Sequence, residues 1–203
     1  MAETHVMTTG MGTRAVTGIP TGKIGVWWFL ASEIVLFGGL IGTYIMSRLG
    51  SGGWSAMAAH LSVPIGTLNT LVLLTSSLTM VLAFAAAGKG DQKGMRSWLF
   101  LTVLLGLGFL IIKGFEWGGE IRAGFPPMAG SFWSFYYTMT GLHALHVLAG
   151  VVVNFVLFLS ALMGLLRGRE HRVELAGLYW HFVDVVWIIL FPLLYLSWSR
   201  GGL

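Results

Sequence analysis

The chain has 203 residues, of which 56% are hydrophobic and 10% charged, with a formal net charge of +4 and a mean hydropathy of +0.80. An average soluble domain is roughly 25% charged, so a soluble fold is excluded: a chain of this size could not hide so much apolar surface. The count of 0 cysteines excludes disulfides, thiolate metal sites, iron–sulfur clusters and c-type haem attachment, and basic residues dispersed without a run give no nucleic-acid-binding surface.

Residues 1–22 are polar, with Arg14 as the one basic group before Lys23, and lack the apolar core and cleavage site of a signal peptide. They read as a flexible polar tail before a retained first helix. Residues 23–203 then predict an all-α integral membrane protein, a bundle of five transmembrane helices near 27–48, 66–87, 97–118, 134–166 and 177–198. Each window reaches the length of about 20 apolar residues that crosses roughly 30 Å of hydrocarbon. Gly50 to Gly53, Gly88 to Lys93, Phe125 to Pro127 and Arg167 to Glu174 form the connections.

An odd number of spans puts the termini on opposite sides. One side receives Arg14, Lys23, Lys89, Lys93, Arg96, Arg167, Arg169 and Arg172; the other receives Arg48, Arg122 and Arg200, with Lys113 inside the third span. Membrane proteins keep excess Lys and Arg in cytoplasmic loops, so the N-terminus is expected in the cytoplasm and the C-terminus outside.

Charges near the bilayer centre are costly and face protein or water, usually with partners. They are expected in two layers here. Glu33 and Asp184 fall roughly 10 Å below the cytoplasmic boundary, counting about 1.5 Å per residue, with His181 one turn shallower. Lys113, Glu116 and Glu120 lie at the far end of the third span, where His143 and His146 enter the fourth from the same side. Lys113 and Glu116 read as an internal ion pair. His143 and His146 share a helix face and read as hydrogen-bond partners of Glu116 or Glu120, as a contact to another subunit, or as metal ligands. They cannot both ligate one haem, because axial ligands approach iron from opposite sides. Glu33 has no charged neighbour within a helical turn and must stay protonated or find a partner elsewhere. Gly38 and Gly42 lie roughly 140° and 180° around the helix from it, a close-packing face on the opposite side. Arg167, His171 and Arg172 cluster where the last two spans meet the cytoplasmic interface and are candidates for holding an anionic lipid head group.

Three segments carry a resemblance: Trp28 to Phe37 (WFLASEIVLF), Thr140 to Val147 (TGLHALHV) and Glu174 to Trp187 (ELAGLYWHFVDVVW), with weaker similarity at Leu68 to Thr70 and Phe115 to Trp117. Together they resemble subunit III of the bacterial haem-copper oxidases in its five-helix form, over the whole chain after the tail. The resemblance implies a multi-pass scaffold of the bacterial cell membrane with no cofactor, metal or catalytic residue of its own. Its partners would be the catalytic subunit I, which carries haem and copper, other oxidase subunits and phospholipids held in a cleft. It would help sustain proton uptake while oxygen is reduced to water. Glu33 matches the family's intramembrane carboxylate near that cleft, and Asp184 and His181 fall in its strongest motif. The chain departs from the seven-helix members in lacking two N-terminal helices that form one wall of the cleft. Five-helix forms occur among cytochrome c oxidases and quinol oxidases alike, and a similar protein accompanies some nitric oxide reductases. An independent transporter would be expected to show inverted repeats and interrupted helices, and a haem b anchor needs histidines on facing helices at matched depth. This chain offers neither.

Overall fold

The computed structural model describes residues 21–196. Most of the polar tail, and Arg14 and Arg200, lie outside the described residues. All regular structure among those described is helical: α1 (Thr21–Gly50), α2 (Ser55–Ala58), α3 (Val63–Gly88), α4 (Gln92–Arg122), α5 (Ser131–Leu162) and α6 (His171–Tyr195). Five of these, all but the short α2, are long and apolar enough to cross a membrane. The chain is thus a multi-pass membrane protein. We call the side where α1, α4 and α6 begin the near face and the other the far face.

The helices are longer than the apolar windows, because polar residues extend them into the interfacial layers that hydropathy does not register. The fifth window has its helix starting at His171, so that Arg172 and Glu174 join the first turn of α6. The fourth window overran its helix instead. Met163 to Leu166 is apolar, but Gly164 adopts φ 72°, a conformation open mainly to glycine, and α5 stops at Leu162. At the α3–α4 turn Gly90 has φ 73°, and Asp91 caps α4 by accepting from the Gly94 N–H at 2.9 Å.

α3, α4, α5 and α6 form the body of the bundle, with α1 laid against α5 and α6. Trp180 of α6 is the keystone. A Cβ built on Gly150 of α5 would come within 2.6 Å of its ring, and one on Gly106 of α4 within 2.8 Å. Its indole N–H donates to Ser76 Oγ of α3 at 3.1 Å. Small residues thus let three backbones close around one large side chain. On the far side, Trp54, held against Tyr44, Phe132 and Phe135, covers the end of the bundle.

α1 is peripheral: 11% of its most apolar window is buried, against 44% for α6. Its buried stripe is Leu30, Glu33, Phe37 and Tyr44. The glycine face of Gly38 and Gly42 points the other way, and a Cβ on either would meet nothing within 4 Å. Polar contacts fasten α1 at both ends. Lys23 pairs with Glu174 at 2.5 Å near the near face, and Tyr44 donates to the Leu193 carbonyl at 3.4 Å toward the far face.

Candidate functional site

Most of the intramembrane ionisable residues fall into three assemblies. Toward the far face, Lys113 of α4 has a side chain 1% exposed and lies 3.1 Å from Glu116 Oε2. Its three ammonium protons find three acceptors: Glu116 Oε2, the Tyr136 hydroxyl at 3.1 Å and the Tyr195 hydroxyl. Each tyrosine passes its own proton to Glu116 Oε1, at 3.1 Å from Tyr136 and 2.5 Å from Tyr195. The ammonium also lies over the rings of Tyr136, Trp187 and Tyr195, 4.8 to 5.2 Å from their centroids. This box joins α4, α5 and α6, gives each ammonium proton an acceptor and brings three donors to the Glu116 carboxylate. Glu120 stands outside it, lining a groove of about 320 Å³ between α3 and α4.

The histidines do not join this cluster. His143 is fully buried, stacked on Trp187 at 5.1 Å with its edge to Phe109 at 5.6 Å, and neither ring nitrogen has a hydrogen-bond partner among the described residues. His146 reaches Glu33 instead. Its Nε2 lies 3.0 Å from Glu33 Oε2, with both side chains largely buried. The expected two-layer arrangement is corrected here. Because α5 runs from Ser131 to Leu162, His146 sits at its midpoint and not in the outer half, and Asp184 is likewise at the middle of α6 (His171–Tyr195).

The chemistry of the Glu33–His146 pair follows from its second contact. His146 Nδ1 lies 2.8 Å from the Leu142 carbonyl, which can only accept, so Nδ1 carries a proton. The bond from Nε2 to Glu33 therefore holds one proton between two heavy atoms, as a neutral acid donating to imidazole or as an imidazolium donating to carboxylate. Tyr179 donates to the His146 carbonyl at 3.0 Å, and the Phe37 ring meets His146 edge-on at 5.3 Å. These contacts fix α1 to α5 and α6 at mid-bilayer.

The third assembly joins α3 and α6. His181 Nδ1 lies 2.7 Å from Ser77 Oγ and 3.9 Å from Asp184 Oδ2, too far for a hydrogen bond, so that Asp184 meets His181 as a longer ion-pair contact. Near the near face, Arg167, His171 and Arg172 are all exposed. Arg172 borders an apolar groove of about 340 Å³ lined by Gly25, Phe29, Leu157, Leu175 and Tyr179; Arg167 and His171 do not line it. No group of three or more His, Cys, Asp or Glu among the described residues is placed to hold a metal ion.

Tyr136, Tyr195 and Ser77 were missed in the sequence. The tyrosines stand near helix ends. The available signal was their depth, which matches that of Lys113 and Glu116.

The family model described as cytochrome c oxidase subunit III matches residues 3–200. Cytochrome c oxidase subunit 3 of Corynebacterium diphtheriae is 36% identical, covering 85% of this chain and 86% of the relative. A probable quinol oxidase subunit 3 of Staphylococcus saprophyticus is 34% identical, over 86% of this chain and 88% of that protein. The heme-copper oxidase subunit I+III of Aeropyrum pernix is 34% identical over 87% of this chain, which spans 23% of that longer protein. The chain belongs to the cytochrome c oxidase subunit III family and is the non-catalytic subunit III of a haem-copper oxidase.

Proposed function

We propose that the chain stands beside the haem- and copper-bearing subunit I in a bacterial cell membrane, with its near face cytoplasmic, and that it supports proton uptake and holds phospholipid. The observation that carries this reading is the Glu33–His146 pair: an intramembrane site that shares one proton, on a subunit with no assigned redox group. The positive charge of the near-face loops supports the orientation. The reading holds for either electron donor, since quinol or cytochrome c would dock on other subunits.

Glu33→Gln keeps the shape of the side chain and its bond to His146 but removes ionisation. In the purified oxidase, initial oxygen reduction should persist while steady proton uptake, or durability over many turnovers, declines. A hydrophobic carbodiimide should label Glu33 selectively in the wild-type complex. Complete loss of oxygen reduction in a fully assembled, fully metallated Glu33→Gln oxidase would overturn the supporting role.

The lipid part of the proposal rests on Arg172 at the mouth of the groove between α1, α5 and α6, with Arg167 and His171 adding charge nearby. Each basic group contributes about 1 kcal/mol toward an anionic surface. Replacing all three with Gln should lower the phosphatidylglycerol or cardiolipin that co-purifies with the complex. Unchanged lipid content on mass spectrometry would count against it.

A further inference from the structure

The Lys113 box takes no part in the proton-sharing pair, yet it stands on the path from that pair to the far face. α5 begins at the far face with Ser131, so Tyr136 of the box lies about 15 Å before His146 along the axis, at about 1.5 Å per residue. His143 lies between them, and both Lys113 and His146 act on it electrostatically. It hydrogen-bonds to neither assembly. Its ring is stacked on Trp187 at 5.1 Å, and the Lys113 ammonium lies over that same indole, 5.2 Å from its centroid. On α4 the partner carboxylate stands three residues later, about 4.5 Å nearer the far face, so the pair is a dipole with its positive end toward the bilayer centre. The groove of about 320 Å³ carries the far surface as far as Glu116 and Glu120, with the ammonium behind it. Phe132 and Trp133, both buried, pack their rings around Tyr136. The near side is built differently. There the groove of about 340 Å³ reaches Phe29, one turn before Glu33, and Tyr179, which donates to the His146 carbonyl. Arg172, the one charged residue lining that groove, is exposed.

We propose that the Lys113–Glu116 pair is a proton barrier, which keeps the Glu33–His146 pair from exchanging with the far side and leaves it open to the near side alone. The inference rests on the reading of Glu33 as a proton-bearing site given above. A proton arriving from the far side stops at Glu116 or Glu120. To go further it must charge His143 beside a buried ammonium, where little solvent screens two like charges. Fixed positive charge excludes protons from membrane pores in the same way. Because the carboxylate neutralises the ammonium, the pair avoids the cost of a lone buried charge, while its inner end stays positive. The titratable groups that face Glu33 are His146 from α5 and Tyr179 from α6, and neither belongs to the box. A site open to both faces would conduct protons across the membrane and dissipate any gradient; a site open to one face cannot.

The test is carbodiimide labelling of Glu33 in sealed vesicles that hold the intact oxidase in one orientation, with the pH set separately on each side and the adduct measured by mass spectrometry. Only the protonated carboxyl reacts. Raising the near-side pH should therefore slow labelling, by up to about tenfold per unit, and the same change on the far side should leave the rate unaltered. Lys113→Gln with Glu116→Gln removes both charges and keeps polar side chains beside the two tyrosines. In that double variant labelling should come to follow the far-side pH as well. Wild-type labelling that follows the far-side pH, or that ignores the near-side pH, would overturn the inference, and the wild-type comparison decides sidedness even where the double variant does not assemble. An assembled double variant that still answers to the near side alone would equally remove the barrier from Lys113 and Glu116. If Glu33 takes no label at any pH, the reading of Glu33 as a proton-bearing site fails and the barrier with it; labelling governed from the far side leaves that reading standing and defeats only the barrier.

Discussion

Glu116→Leu is expected to remove the far half of the bundle from its native packing. The substitution leaves Lys113, with a side chain 1% exposed, charged and without its counter-ion. It also strands the hydroxyl protons of Tyr136 and Tyr195, both of which end on Glu116 Oε1. Breaking a buried pair by removing one partner costs about 3–5 kcal/mol, a large share of the roughly 5–15 kcal/mol that holds a folded domain. The variant should be lost from the assembled oxidase, or its detergent-solubilised complex should release the subunit at a clearly lower temperature on size-exclusion chromatography. Replacing both charges, Lys113→Met with Glu116→Leu, should recover much of the loss, since an apolar substitute for a whole buried pair is often neutral. A single variant as heat-resistant as wild type would show that the box contributes nothing to cohesion.

Gly150→Val should be at least as damaging, by steric overlap. The added Cβ alone would lie 2.6 Å from the Trp180 ring, and that ring cannot retreat. Its other edge already meets Gly106, and its N–H is held by Ser76. Overpacking typically costs about 1–3 kcal/mol and occasionally more; a rigid indole locked by three helices belongs at the upper end. Folded subunit should fall sharply in membranes, measured by protease resistance and by retention in the complex. Gly150→Val combined with Trp180→Leu should restore part of it. Gly114→Ala, where a Cβ meets nothing within 4 Å, is the control and should be silent.

These expectations show where sequence and structure part. Five spans were legible because bilayer thickness imposes a length that hydropathy reads directly. The Lys113–Glu116 pair was legible because i, i+3 spacing places both groups on one helix face. The partner of Glu33 was not, since His146 lies 113 residues away and depth is the one clue to such a pairing. That clue was distorted by three or four apolar residues after Leu162, which displaced the apparent centre of the helix. His143 looked like half of a polar motif because it shares a face with His146. In the fold the two part company, one ring between aromatic faces and the other on α1. Spacing along one helix reports what a side chain stands beside, and only the neighbouring helices decide what it touches.

The late arrival of His146 has a consequence during synthesis. α1 leaves the ribosome before α5 and α6, and its described polar clasps come from those later helices: Glu174 for Lys23, His146 for Glu33 and the Leu193 carbonyl for Tyr44. At about 5–20 residues per second, the 113 residues between Glu33 and His146 take on the order of ten seconds to appear. Through that interval Glu33 is without His146, and its carboxyl has to be carried as the neutral acid or beside another group. α1 is thus made well before it is fastened, and the bundle closes backwards along its own sequence.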